Sequence, residues 1–482
     1  MVERHKTAMR RTALSRPAQL LLDQNLIGPE TTLLDYGCGH GDDVKRLTKK
    51  GFTAAGWDPH FFPDNPLEAA SVVNLGFVLN VIEDRQERND VLRKAFDLSR
   101  NLLLVSVQPL TDVKEGRGRP FGDGYLTGIG TFQKYYDQTE LKNWVSSTLS
   151  RRPVPLAPGV LAVFTDDEDR QAFVVSRLRR RLAIRSERRA NEYYDVYQEL
   201  LDDFFEVFTE RGRPPMHEEW DRLGELHEKL GSSRRAMSVL GHVYGLETLD
   251  EIRTQRSEDL LVFLALELLE GRPRFSELAE SIRKDIRVFF GAYKKACAHA
   301  DHLLFSAGNP LLIDAACRDS GIGKLTPAAL YVHTSALEEL EPVLRVYEGC
   351  ARFMIGEIEG ANVIKLRRGP PAISYLIYPK FERVGHPELE ASYHVDLREL
   401  RAKFQDYSTR KNPPILHRKD EMMGPTHQLR KRFERLTRAE ERAGLFEDTA
   451  TIGLKKGWLE KLEDAGFQVR GHRLYRVLPP DP

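Results

Sequence analysis

The chain is 482 residues long, with 72 lysines and arginines balanced by 72 aspartates and glutamates. That length exceeds one ordinary core and predicts about two to four domains, while the charge balance excludes a polyanion binder that is basic over its whole surface and leaves only a local basic face. Four cysteines far apart (Cys38, Cys297, Cys317, Cys350) exclude a disulfide scaffold and a zinc-spaced pair, and no stretch reaches the roughly 18 uninterrupted apolar residues of a membrane helix, so no membrane and no metal are expected.

Residues 1–20 read as a basic arm, with Arg4, Lys6, Arg10, Arg11 and Arg16 against the single acid Glu3. The arm leads into no apolar signal-peptide core, and a cytoplasmic location is expected.

Residues 21–170 alternate short apolar runs with helical patterns, which predicts an α/β Rossmann-like domain. The runs lie at 32–35, 53–58, 71–75 and 101–107, and 160–164 is expected to close the sheet. Where the first run ends stands Asp35-Tyr36-Gly37-Cys38-Gly39-His40-Gly41, followed by Asp42 at the expected start of a helix. Glycines at 37, 39 and 41 allow a tight turn and close approach of a ligand to the backbone. A dinucleotide fold more usually spaces them G-x-G-x-x-G, to seat a pyrophosphate on the helix N-terminus. Here the spacing is G-x-G-x-G with an acid two residues before the first glycine. That acid suits the amino and sulfonium groups of S-adenosylmethionine, a donor with no pyrophosphate. The cofactor candidates at this turn are Asp35, Tyr36, Gly37, Cys38, Gly39, Gly41 and Asp42.

In Gly56-Trp57-Asp58-Pro59, Asp58 closes the second run and is placed to accept ribose hydroxyls, with Trp57 or Pro59 beside the adenine. The third run passes through Asn74, Leu75 and Phe77 towards Asn80, Glu83 and Asp84, and is read as a strand running into a helix. Asn74 and Leu75 join the cofactor set, and Asn74 and Asn80 are the candidate catalytic residues. DNA amino-methyltransferases often carry an Asn or Asp, two prolines and an aromatic after the fourth strand. Asn74-Leu75-Gly76-Phe77 keeps the Asn and the aromatic and lacks both prolines. After the run at 101–107, a glycine-bearing segment reaches Thr131, Gln133 and Lys134, which with Phe77 are candidates for holding an acceptor, ahead of a helix over 139–144.

Residues 171–350 are expected to be mainly helical. Arg177, Arg179, Arg180, Arg181, Arg185, Arg188 and Arg189 precede an acidic stretch from Glu192 to Glu206, which reads as a helix with sign-segregated charge. Residues 351–482 read as an α+β region, with strands at 361–366, 373–378 and 391–397, helices at about 437–446 and 455–465, and strand-like 468–470 and 474–477. Its basic segment, His417-Arg418-Lys419 with Arg410, Lys411, Arg430, Lys431 and Arg432, is a candidate phosphate contact, and Lys6 and Arg10 of the arm are expected either to fold over the cofactor or to touch nucleic acid.

Several of these motifs recur together in one family. They are His5-Lys6-Thr7-Ala8 with Leu14-Ser15-Arg16-Pro17, the Asp35–Gly39 turn, Gly56-Trp57-Asp58-Pro59, Val73-Asn74-Leu75-Gly76 with 78–84, Gly130–Tyr135, and Pro414-Ile415-Leu416-His417-Arg418-Lys419. The sequence resembles the DNA phosphorothioation-associated methyltransferases, encoded beside bacterial systems that put sulfur into the DNA backbone. The resemblance implies an S-adenosylmethionine cofactor, a DNA-modification or defence setting, DNA as partner, and contact with other proteins of the phosphorothioation system. The leading expectation is therefore methyl transfer to DNA. The alternatives are a donor-binding accessory or regulatory DNA-binding protein without turnover, and a methyltransferase for a small molecule or modified nucleoside.

Overall fold

The computed structural model describes residues 3–112, 118–180 and 192–477. Its first layer is a six-stranded sheet built from β1 (Thr32–Tyr36), β2 (Thr53–Trp57), β3 (Ala70–Gly76), β4 (Ser99–Ser106), β8 (Val154–Ala157) and β9 (Val160–Phe164), in the order β2-β1-β3-β4-β9-β8. A small three-stranded sheet, β5 (Arg119–Phe121), β6 (Gly124–Leu126) and β7 (Phe132–Gln133), interrupts that chain order. Strands β2, β1, β3 and β4 are parallel, and β9 and β8 are antiparallel additions. Thus β9 does not close the sheet as expected: Val154 through Ala157 form one more strand beyond it. Side chains alternate between the faces of each strand. Leu33, Val72, Leu102 and Leu104 pack on one face with Leu21 of α1 (Arg16–Asp23) and Leu47 of α2 (Asp42–Lys49). Leu34, Val73, Leu75, Leu103 and Val105 pack on the other with Leu92 of α3 (Arg85–Asp97) and Leu141 of α4 (Gln138–Leu149). Two covered faces and mostly parallel strands make this layer Rossmann-like.

One expected helix is shorter than its sequence pattern. The segment 77–84 forms turns, and α3 starts at Arg85. Phe77 takes φ +61°, outside the helical range, and the Asp84 side chain accepts the Glu87 N–H as a helix cap.

The chain then turns helical: α5 (Asp167–Leu178), α6 (Glu192–Val196), α7 (Gln198–Arg211), α8 (Leu223–Leu230), α9 (Ser233–Tyr244), α10 (Leu246–Glu267), α11 (Glu280–Phe290), α12 (Tyr293–Ala307), α13 (Pro310–Asp319) and α14 (Pro342–Ile355). The expected sign-segregated helix is divided: α5 ends at Leu178 and α6 begins at Glu192, while Arg181, Arg185, Arg188 and Arg189 lie outside the described residues. Glu267 of α10 forms a two-pronged pair with Arg170 of α5 at 2.9 and 2.8 Å, with both side chains buried. Asp259 of α10 accepts from Arg180, Arg256 and Arg345.

Strands return earlier than the sequence suggests. β10 (Lys324–Leu325) and β11 (Ala329–His333) begin an antiparallel meander continued by β12 (Ala361–Arg367), β13 (Ala372–Ile377), β14 (Ala391–Asp396) and β15 (Arg401–Asp406). One apolar core runs from α10 through α14 onto this sheet, so no break in packing falls at position 350. The C-terminal elements are α15 (Arg430–Arg442), α16 (Lys455–Asp464) and the hairpin β16 (Phe467–Arg470) with β17 (Arg473–Arg476). Among the described residues no helix is long and apolar enough to cross a membrane.

Candidate functional site

Chain order places β1 in the sheet interior, with β2 on one side and β3 on the other. That reversal opens a crevice at the carboxyl ends of the strands, where open α/β sheets bind ligands. A cavity of about 680 Å³ occupies it. Asp35, Tyr36, Gly37, Cys38, Gly39, Asp58, Pro59, Asn74 and Phe77 of the expected set line it, with Trp57.

The turn is built on positive-φ glycines. Gly37, Gly39 and Gly41 have φ of +80°, +52° and +72°, and a Cβ on Gly37 would lie 2.4 Å from Val78 Cγ2. Asp58 holds the turn from the neighbouring strand: its carboxylate accepts the N–H of Gly39 at 3.0 Å, and those of His60 and Phe61 at 2.9 and 3.0 Å. Asp35 is buried beneath, and accepts from Asn74 Nδ2 at 2.8 Å. Burial pushes its carboxyl up to about 7, helped by the nearby Asp43 carboxylate, and the Asn74 hydrogen bond only partly offsets this. The Asn74 Oδ1 atom is itself buried with no partner among the described residues. Cys38 packs its Sγ against Gly56, and burial raises the thiol to about 12, which leaves it unreactive.

The arm does lie over the cavity, but not through the residues expected: Lys6 and Arg10 are absent from the lining, and Arg10 pairs with Asp42 at 3.7 Å. The N-terminal arm crosses the mouth and supplies Arg4, His5, Ala8, Met9 and Arg11 to the lining. The His5 ring stacks on His60 at 4.2 Å, and Arg4 bridges Glu83 at 2.9 Å and Glu87 at 2.5 and 2.7 Å. The arm is tied down by backbone contacts: Arg11 N–H donates to Asp42 and Ser15 N–H to Asp43, both at 2.8 Å, and Arg46 reaches the Arg11 carbonyl. The only local signal for this roof is the Ser15-Arg16-Pro17 helix start, which fixes where the arm must turn.

Other expected residues lie elsewhere. Lys6 pairs with Glu3 and does not line the cavity. Gly41 and Asp42 sit behind the turn, and Leu75 is core. Asn80 is buried outside the cavity, where its carbonyl accepts the Lys134 N–H at 2.7 Å. Thr131, Gln133 and Lys134 do not reach the cavity. Thr131 shares a hydroxyl bond with Thr127, the Gln133 amide donates to the Lys134 carbonyl, and the Lys134 ammonium is held by Asp123 and Glu140 at 3.3 and 2.8 Å.

The basic triplet is a correction of a different kind. His417 Nε2 is bonded to the Ile452 carbonyl at 2.7 Å inside a cluster with His386 and Trp458. Lys419 is buried between Phe381 and Phe433, with Nζ on the carbonyls of Phe381 and Val384. Arg418 is paired with Glu421 and Glu441. Burial drives His417 down to about 2 and Lys419 to about 7. His417 and Lys419 thus knit the C-terminal core, and Arg418, though partly exposed, is already paired with two carboxylates.

A larger cavity, about 1310 Å³, lies between α5, α7 and α14. Arg177, Arg180 and Arg352 in its wall are already paired with Glu357, Asp259 and Glu348. No cluster of three or more His, Cys, Asp or Glu with metal-holding geometry occurs among the described residues.

No protein-family model and no curated protein matches the chain. Among solved structures, it is similar to the 1,6-didemethyltoxoflavin-N1-methyltransferase of Burkholderia thailandensis bound to S-adenosylhomocysteine, at 17% identity over 31% of this chain and 76% of that one, with a TM-score of 0.25. It is also similar to the Streptoalloteichus sugar N-methyltransferase, at 14% identity over 32% of this chain and 88% of the other, TM-score 0.26. A third likeness is to the magnesium protoporphyrin IX methyltransferase of Synechocystis with S-adenosylmethionine bound, at 14% identity over 31% and 75%, TM-score 0.22.

Proposed function

We propose that the chain is an S-adenosylmethionine-dependent methyltransferase acting on DNA in the setting of bacterial phosphorothioate modification. The observation that carries the donor is the cavity over Gly37–Gly39, flanked by the buried Asp35 on one strand and Asp58 on the next. The residues present fit that group. The orphaned Oδ1 of Asn74 and the carboxyl of Asp35 would take its amino group, Asp58 its ribose hydroxyls, and Trp57 or Pro59 the face of its adenine. When bound, the donor supplies an electrophilic methyl for in-line displacement. The protein's own part is to present the Asp35 carboxyl, whose ionised form a cationic donor would favour, and to keep water out with the arm from Arg4 to Arg11. The DNA assignment rests on the resemblance of the separated motifs.

The test is incubation with methyl-labelled donor and DNA, with and without phosphorothioate. Label in DNA is expected; tight donor binding without transfer to any nucleic acid would sink the acceptor, and absence of donor binding would sink the whole reading. A second reading, a donor-binding accessory protein without turnover, draws on one observation: Thr131, Gln133 and Lys134 are bonded internally, away from the cavity. Loss of DNA binding and of assembly in Asp35→Ala, and not of methylation alone, would favour it.

A further inference from the structure

Helix α15 buries Phe433, Leu436, Thr437 and Glu440, and turns Lys431, Arg432, Arg435, Arg438 and Arg442 to solvent. Positions 431, 435, 438 and 442 follow the i, i+4, i+7, i+11 rule, so four cations form one stripe about 16 Å long. Among the described residues only Arg438 of the five has an ion-pair partner, Glu434.

This arrangement works against the folded chain in three ways. Lys431 with Arg435, and Arg438 with Arg442, are like charges at i, i+4. The first turn contains no acid, so Arg430, Lys431 and Arg432 oppose the helix dipole. The adjoining hairpin repeats the pattern: β17 packs against α15, and Arg470 of β16 stands directly opposite Arg473 of β17, a like-charge cross-strand pair. A chain of zero formal net charge thus exposes five cations on α15, four of them without an ion-pair partner among the described residues, and two more on the hairpin that packs against it.

We infer that this face binds the phosphate backbone of duplex DNA. A polyanion relieves all three repulsions together, and a duplex carries one negative charge per about 1.7 Å of axis, so the stripe spans several phosphates. A single strand would ask for successive stacking aromatics. The hairpin beside the stripe exposes one, Tyr475, and Arg470 lies over its ring at 5.9 Å. The inference rests on the nucleic-acid reading above, but involves none of the cavity residues.

The experiment uses the whole protein and a labelled mixed-sequence duplex of about 30 base pairs, titrated at several salt concentrations. Replacing the stripe (Lys431→Gln, Arg435→Gln, Arg438→Gln, Arg442→Gln together) is expected to weaken binding at least about ten-fold. It should also flatten the salt dependence by about 0.9 in log–log slope for each phosphate no longer neutralised. Arg470→Gln with Arg473→Gln should weaken binding several-fold while leaving the fold at least as heat-resistant, and it decides the matter if the fourfold variant does not fold. Unchanged affinity and slope in the folded variants, or no duplex binding by the unmodified protein, overturns the inference. So does binding of single-stranded DNA or of RNA ten-fold tighter than duplex. Donor affinity is read in the same variants and should stay constant. Duplex binding without methyl transfer would overturn the acceptor reading and leave this face standing.

Discussion

The Asn74 side-chain amide donates to the Asp35 carboxylate at 2.8 Å, joining two buried polar groups on neighbouring strands, 39 positions apart in the chain. This single bond ties together two residues of the cavity lining and leaves the Asn74 side-chain oxygen without a partner among the described residues.

Removing the charge while keeping the shape separates its two effects. Asp35→Asn is expected to weaken S-adenosylmethionine binding about 10- to 100-fold, since a charge-assisted bond contributes about 1.5–3 kcal/mol. Heat resistance should hold or rise, because burial penalises the ionised Asp35. Calorimetric titration and a melting curve check both halves; a variant that binds normally would show that Asp35 does not contact the donor.

Because Asp35 is raised to about 7, its cation-binding form is the minority below neutrality. Donor affinity should therefore climb as pH rises from about 6 to 8 and then level off. For folding the sign is opposite: a carboxyl raised above its unfolded value near 3.9 lends stability at low pH and loses it as pH rises towards 7. Isothermal titration across this range, repeated on Asp35→Asn, should show the binding slope only in the unmodified protein.

Arg4 latches the arm over the cavity by its bonds to Glu83 and Glu87, all three partly exposed. Exposed pairs are worth about 0–1 kcal/mol, so Arg4→Ala should speed donor release by no more than about five-fold. It should also open residues 3–15 to proteolysis. A change in association alone, with release and protease sensitivity unaltered, would argue against a latch.

His417 is a core residue, so His417→Ala should cost about 2–4 kcal/mol of stability through weaker packing on Trp458 and the missing bond to the Ile452 carbonyl. Duplex affinity, measured well below the melting temperature, should stay the same. A selective loss of affinity with normal melting would restore the phosphate-binding reading of the triplet.

Asp259 answers three arginines inside the helical region. Asp259→Ala leaves those cations buried without a counter-charge and should destabilise the protein by about 3–5 kcal/mol. Denaturant unfolding measures this directly, and a loss under about 1 kcal/mol would mean that water reaches the cluster.

The legible elements are those with a local cause. Strands β1 to β4 alternate or run apolar, and the glycine turn carries its own conformational need. Asp84, by contrast, stands beyond a helix in the sequence pattern and starts one in the structure, because the bend at Phe77 comes from the fold around it. Strands β10 and β15 carry a weak sequence signature: one is two residues long, and in the other, Arg401–Asp406, the apolar face is only Ala402 and Phe404 between polar residues.

The cavity shows the same division. From the order of residues alone came the turn and its flanking acids, since glycine spacing and strand length act within a few residues. Only the tertiary structure decided that His5 and Arg4 roof the cavity, that Thr131 and Lys134 turn away from it, and that His417 and Lys419 face inward. Charge in a sequence carries no direction; whether a cation meets water, a carboxylate or a carbonyl is settled by which distant surface packs against it. The same packing that buried Lys419 left Lys431, Arg435 and Arg442 of α15 in the open.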